Sequence, residues 1–406
     1  MRTPAMRRIA YSKFSKQSAT FITVNVANVV LGLMISQIFR PSLARTTFIV
    51  CTALFIAAVF YFFLRIFLDN WKVRYIAFVS EGTRGVAFYE KFFEQLVREA
   101  HDHSNNGRFQ YVVFPWIADE GRAKVQLQSL RRINHSGMIA VPTDDIDIES
   151  DLAEHKVPVV LFDAIPNEVA IPHGFSCVSG NEREGGREAG RSAVEFLHRV
   201  YSPHGPEQPC IWILHGKDFG FMPIHRAKFF AEEVRRSFPQ VKILGSERLS
   251  FSRDKARVYV YERFEGLENV NEAMDSSRKN GEVSRVPDII FALNDDMALG
   301  AREALRQFEE EDRLLQLCAE YGLSFPDESI RVPQIIGYDG IDEMKDLLRS
   351  ENERFLLATV DAKVENQAKN AWHAIVRHLE GTEEKIRPVT MELIERNWFY
   401  EPDVEM

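Results

Sequence analysis

A repeating order constrains this chain more than anything else in it: a short apolar run, a loop, then a helical pattern. Tyr75–Ser80 reads as a strand and is followed by the helix-like stretch FYEKFFEQLVREAHDH. The order continues through Tyr111–Phe114, Gly137–Val141, Pro158–Asp163, Cys210–Leu214, Val241–Gly245, Asp288–Leu293, Gln334–Asp339 and Leu356–Asp361. Short apolar runs bounded by turn residues suit strands buried on both faces, and helices between them supply the right-handed crossovers of parallel strands. In such sheets ligands gather beyond the carboxyl ends of the strands. The pattern alone therefore points to Glu81–Tyr89, Asp163, His215–Arg226, Asn294–Asp296, Asp339 and Asp361 as the places for chemistry.

A chain of 406 residues is too long for one ordinary compact domain and suits a two-lobed body with an appendage. Charge is uneven. Residues 1–74 carry ten Lys/Arg against one acid, Asp69, which leaves 40 bases and 58 acids downstream, a balance of −18. An acidic body repels a phosphate backbone, so nucleic acid is not an expected partner. Cys51, Cys177, Cys210 and Cys318 form no CxxC or Cys/His cluster. Neither a metal site nor a cofactor is expected; buried free thiols are, with a single disulfide left open.

Residues 19–39 are uncharged over 21 positions, and within 46–67 the stretch Thr46–Leu64 is uncharged over 19. At about 1.5 Å per residue, each can cross a hydrocarbon core of about 30 Å. Residues 1–73 are thus expected to form a two-helix transmembrane hairpin in a bacterial inner membrane. Five Lys/Arg precede the first span, two lie in the connector and three follow the second. That bias places the body in the cytoplasm; an extracytoplasmic body is the alternative if the first segment does not insert.

Several strand ends carry phrases of one superfamily. FALNDDMALGAREAL, QIIGYDGIDEM, VPVVLFD, NEREGGREAG and LLATVDAKVENQAKNAW occur in one order and spacing, with RPVTMELIERNW closing the chain. Residues 74–400 resemble type I periplasmic binding proteins and the ligand-sensing cores of lactose-repressor-like regulators. The resemblance implies an α/β fold with two Rossmann-like lobes of parallel sheet joined by a three-strand hinge that closes on a ligand. The first lobe would comprise 74–177 plus 362–390, the second 178–361 plus 391–406. The membrane hairpin stands where a repressor carries its DNA-binding domain.

What the resemblance implies for single residues stands beside a simpler reading of each. Asp339 would accept two sugar hydroxyls, or cap the helix beginning near Ile341. Asn294 would donate to and accept from a polyol, while Asp295 and Asp296 read as helix-start caps. Arg226 would fork onto ligand oxygens, or be a solvated helix charge. Phe88 or Tyr89 would stack on a sugar face, or continue the apolar stripe of Phe92, Phe93 and Leu96. Asp163 ends its strand where an Asp–Arg pair is implied, but Ala164 follows. Arg84 could supply that missing cation; Asp361 is a further, weaker candidate. His215, His225, Lys217 and Asp218 lack the spacing of any hydrolase or phosphate-loop motif, so no enzyme is expected.

The expected function is a membrane-anchored sensor that binds a sugar or sugar-like metabolite by lobe closure and signals to a membrane or cytosolic protein. A tethered receptor feeding a transporter and a scaffold with a degenerate pocket are the alternatives. The leucines of Phe308–Val332 suggest an extra helix on the second lobe, or one used in a homodimer.

Overall fold

The computed structural model describes residues 52, 55–61, 73–81, 87–106, 109–118, 122–141, 151–163, 175–201, 208–216, 221–269, 285–320, 332–381 and 392–395. The chain divides into two compact units, Met1–Val73 and Arg74–Met406. In the first unit, residues 55–61 are helical and leave Phe55, Ile56, Phe60 and Tyr61 exposed. Among the described residues no helix is long and apolar enough to cross a membrane. The expected spans at 19–39 and 46–67 lie outside them, apart from residues 52 and 55–61.

The second unit holds two sheets. Strands β1 (Val73–Glu81), β2 (Gln110–Ala118), β3 (Gly137–Ala140), β4 (Val159–Phe162) and β5 (Phe175–Val178) form the first, in the order β2-β1-β3-β4-β5. The pairings β1–β3, β3–β4 and β4–β5 are parallel. Helices α1 (Ala87–Asn106) and α2 (Ala123–Leu130) fill its crossovers. Alternation sets the two faces. Ala77, Val79, Met138, Ala140, Val159 and Leu161 meet Leu127 and Leu130 of α2. Ile76, Phe78, Ile139, Val160 and Phe162 turn to the other face, where Phe88, Phe92 and Leu96 of α1 lie. Each fully buried Val, Leu, Ile, Phe or Met among them contributes about 1.5–3 kcal/mol.

The second sheet is built from β6 (Cys210–His215), β7 (Lys242–Arg248), β8 (Ile289–Ala292), β9 (Gln334–Asp339), β10 (Leu356–Asp361) and β11 (Glu392–Glu395). Its order is β11-β10-β9-β8-β6-β7, parallel except for the antiparallel edge strand β11. Around it lie α3 (Glu182–Val200), α4 (Phe221–Ser237), α5 (Arg253–Asn269), α6 (Asp295–Glu310), α7 (Leu314–Glu320) and α8 (Asp342–Leu348). Every residue of β8, β9 and β10 is buried. That is why these strands read as unbroken apolar runs rather than alternating ones. Helix α7 turns Leu314, Leu317 and Cys318 inward and leaves Leu315 exposed.

The chain passes between the sheets three times. It leaves the first after β5, and α3 packs against β10 and β11 of the second. It returns after β10 as α9 (Val364–Glu380), which packs on α1 and on β3, β4 and β5. It enters the second sheet again as β11. The three described cysteines of this unit, Cys177, Cys210 and Cys318, are free thiols.

Candidate functional site

In the first lobe the site begins where β4 ends. Asp163 adopts a left-handed φ of +63°, and its carboxylate Oδ2 accepts from the Tyr89 hydroxyl at 2.8 Å. Tyr89 stands in the first turn of α1 beside Phe88, and successive helical side chains point about 100° apart. Phe88 is the inward member: it is buried and stacks on Phe162 with centroids 6.0 Å apart. Tyr89 is half-buried and carries its hydroxyl toward the second lobe.

In the second lobe Arg226 is buried within α4. Its Nε donates to Glu182 Oε2 at 2.5 Å and its Nη2 to Glu182 Oε1 at 3.4 Å. Its Nη1 donates to the Leu293 carbonyl at 2.7 Å and to Asp339 Oδ1 at 3.4 Å. The guanidinium lies 4.0 Å from the centroid of the Tyr338 ring. Glu182 reaches it because α3 and α4 touch through glycines. A Cβ at Gly186 would meet the Arg226 carbonyl oxygen at 2.8 Å, and one at Gly190 would meet Glu233 Cβ at 2.7 Å.

Asp339 ends β9 with φ +110°, a strained backbone for a residue with a Cβ. Gly340 follows at φ +67°, and a Cβ there would lie 2.6 Å from Asp361 Cα. Asp295 holds this turn from below. Its Oδ2 accepts from the Ile341 amide at 2.8 Å and its Oδ1 from the Thr359 hydroxyl at 2.6 Å. Asp295 therefore clamps β9 to β10 instead of capping its own helix.

Across the lobes, the members of this group act on one another's charge. Burial pushes the Asp339 carboxyl well above the usual carboxylate range; Arg226 opposes this, while Asp295, Asp163 and Glu182 reinforce it. Burial likewise raises the Asp163 carboxyl, with Arg226 opposing and Glu182 reinforcing. Burial raises the Tyr89 hydroxyl, and Asp163 and Asp339 add to the effect. For Arg226, burial disfavours the charge, but Glu182 and Asp339 outweigh it and keep the guanidinium protonated. Beside the group, Lys91 of α1 binds Asp342 of α8 and Glu365 of α9, each at 2.9 Å, so an ion pair also joins the lobes.

The sequence candidates divide accordingly. Tyr89, Asp163, Arg226 and Asp339 converge, and Phe88 packs in the core. Asn294 caps α6: its Oδ1 accepts from the Met297 amide at 2.9 Å and its Nδ2 donates to the Phe251 carbonyl at 3.3 Å. Asp361 stands opposite Asp339 in the β9–β10 register, but its carboxylate is taken up by Lys345 at 2.8 Å and Lys363 at 3.2 Å. Burial raises its carboxyl, but these lysines and the Lys363 amide bring it below its ordinary value. Arg84 lies outside the described residues. Sequence reasoning misses Glu182 and Tyr338. The signal for Glu182 is the four-residue spacing of Gly186 and Gly190, which marks a helix face where another backbone comes close.

Neither a family model nor a curated protein sequence matches the chain. Solved structures do. A solute-binding protein of an ABC transporter from Mycobacterium smegmatis, with bound glycerol, superposes with TM-score 0.59 at 18% identity, over 80% of this chain and 94% of that one. One from Bacillus halodurans C-125, with bound myo-inositol, gives 0.57 at 15% identity over 80% and 94%. A LacI transcriptional regulator from a Rhodococcus species gives 0.55 at 17% identity over 80% and 97%. The fold is that of the type I periplasmic binding proteins. In this periplasmic-binding-protein fold the group of Tyr89, Asp163, Arg226 and Asp339 lies at the carboxyl ends of strands from both sheets, where an open parallel sheet receives a ligand.

Proposed function

We propose that the chain is a membrane-anchored receptor that binds a sugar or related polyol between its lobes and acts by closing on it, without catalytic chemistry. The observation that carries this reading is that Tyr89 and Asp163 of one lobe lie near enough to Arg226 and Asp339 of the other to feel their charges. Carboxylates and a guanidinium at strand ends are the groups that fix hydroxyls, and solved proteins of this fold hold glycerol and myo-inositol. A thermal-shift panel of sugars and polyols on the full chain tests it. A ligand at 100 times its dissociation constant adds about 2.7 kcal/mol, read as a rise of several degrees that Asp339→Ala abolishes. A shift of equal size in Asp339→Ala would remove Asp339 from the site.

Anchoring rests on the two uncharged stretches, and the exposed Phe55, Ile56, Phe60 and Tyr61 support it. The Lys/Arg bias favours a cytoplasmic body that signals to a membrane or cytosolic partner; the likeness to solute-binding proteins of ABC transporters favours delivery from outside. A C-terminal phosphatase fusion active only in the periplasm separates the two, and an inactive fusion is expected. One observation favours a second reading, a scaffold with a closed-off pocket: Arg226 already makes four hydrogen bonds within the protein. A panel that never shifts the chain, together with a stable co-purifying protein, would favour it.

A further inference from the structure

We infer that the group of Tyr89, Asp163, Arg226 and Asp339 takes a ligand carrying a positive charge beside its hydroxyls, a protonated amino sugar or aminated polyol, in preference to a neutral or phosphorylated sugar. The inference rests on reading the cleft as the ligand site and narrows the ligand to a charge class.

Charge and geometry carry it. Among the described residues the converging group holds three carboxylates, on Asp163, Glu182 and Asp339, against one guanidinium, that of Arg226. Glu182 is the closest anion to that guanidinium and grips it through both oxygens, at 2.5 and 3.4 Å. The Glu182–Arg226 pair is therefore a neutral unit, and four of the five guanidinium N–H donors are already engaged within the protein. What remains are two carboxylates from opposite lobes. Each has one oxygen engaged, Asp163 Oδ2 by the Tyr89 hydroxyl and Asp339 Oδ1 by Arg226. Among the described residues, the second oxygen of each makes no hydrogen bond and is left as an acceptor.

Desolvation raises the carboxyls of half-buried Asp163 and buried Asp339, and in the closed lobes the charge of Asp163 adds to the rise at Asp339. Among the described residues, the titratable groups acting on them are Tyr89 of α1, Glu182 of α3, Arg226 of α4 and Asp295 of α6. An ammonium between Asp163 and Asp339 turns the repulsion into attraction on both sides, so binding and closure become one event. A phosphate would add a further negative charge to a group in which, among the described residues, acids outnumber the one guanidinium. A neutral sugar would leave the repulsion in place.

Calorimetry on the full chain at pH 6.5, where the amine is protonated, with D-glucosamine, D-glucose and D-glucose 6-phosphate compares one ring in three charge states. Glucosamine is expected to bind at least about tenfold tighter than glucose, a difference of about 1.4 kcal/mol. The phosphate should bind most weakly, and Asp163→Asn should erase the preference for the amine. Equal or tighter binding of glucose, or tightest binding of the phosphate, overturns the inference and leaves the sugar-receptor reading intact.

A second arm needs no ligand. Asp163→Asn removes one of the two facing charges, so the ligand-free variant should melt about 2 °C or more above wild type at pH 8. A carboxyl raised in the folded state costs stability as pH rises past its unfolded value of about 3.9, so this advantage should shrink at pH 4.5. A lower melting temperature at pH 8 overturns the inference, because the chain would then supply its own counter-charge, with Arg84 the candidate. If none of the three rings binds while Asp163→Asn stabilises, the charge inference stands and the choice of sugar ring fails.

Discussion

Asp295 shows how a single side chain can be legible in type and misread in role. From sequence it is an acid at a helix start, and a cap is the natural reading. Its carboxylate is instead buried between the Ile341 amide and the Thr359 hydroxyl, because α6 lies beneath the turn after β9. Burial pushes its carboxyl up to about 7, with Thr359 and the Ile341 and Gly340 amides pulling it down. A folded value above the unfolded one means stability is complete below about pH 4 and is lost as pH rises toward 7. Asparagine has no proton to lose. Relative to wild type, Asp295→Asn should therefore improve between pH 4 and 7, by at most about 4 kcal/mol. Urea unfolding of both chains at pH 4, 5.5 and 7 measures this; a gap independent of pH would show that Asp295 titrates like a surface acid. Asp163, Arg226 and Asp339 could be found because strand ends are visible in the apolar pattern. Which partner each takes could not, since Glu182 and Arg226 are 44 positions apart. Only the packing of two helices brings them together.

At the scale of elements, apolar periodicity marked most strands of both sheets, since parallel strands buried on two faces leave a strong trace in sequence. Edge strand β11 was visible only through a family resemblance, because a short edge strand lacks that trace. The α3–α4 contact was hidden in two glycines whose meaning depends on what lies opposite. Gly186→Ala gains about 1 kcal/mol of helix propensity. It also drives a Cβ into the Arg226 carbonyl, 2.8 Å away, and overpacking costs about 1–3 kcal/mol. The clash should win, lowering the melting temperature and loosening Glu182 from Arg226. Gly266, exposed in α5, is the control, because a Cβ there would have nothing within 4 Å. Gly266→Ala should stabilise by about 0.5–1 kcal/mol. The same sign at both positions, read by chemical denaturation, would mean that the α3–α4 contact yields easily.

For the whole molecule, the proposed function depends on two sheets moving about the three crossings between them. Tyr89 and Asp163 feel the charges of Arg226 and Asp339 only when the lobes are together, and the Lys91–Asp342 pair joins the same two bodies. Nothing in the linear pattern fixed how far the lobes close, since closure depends on pairs as far apart in sequence as Lys91 and Asp342. The direct measurement is the distance between spin labels at Val125 in the first lobe and Leu315 in the second, both exposed, on the full chain freed of its native cysteines. With a sugar or amino sugar that raises the melting temperature, the distribution should narrow and shift to shorter distances, and Asp339→Ala should abolish the change. A ligand that binds with measurable affinity yet leaves the distribution unchanged would contradict a hinged receptor.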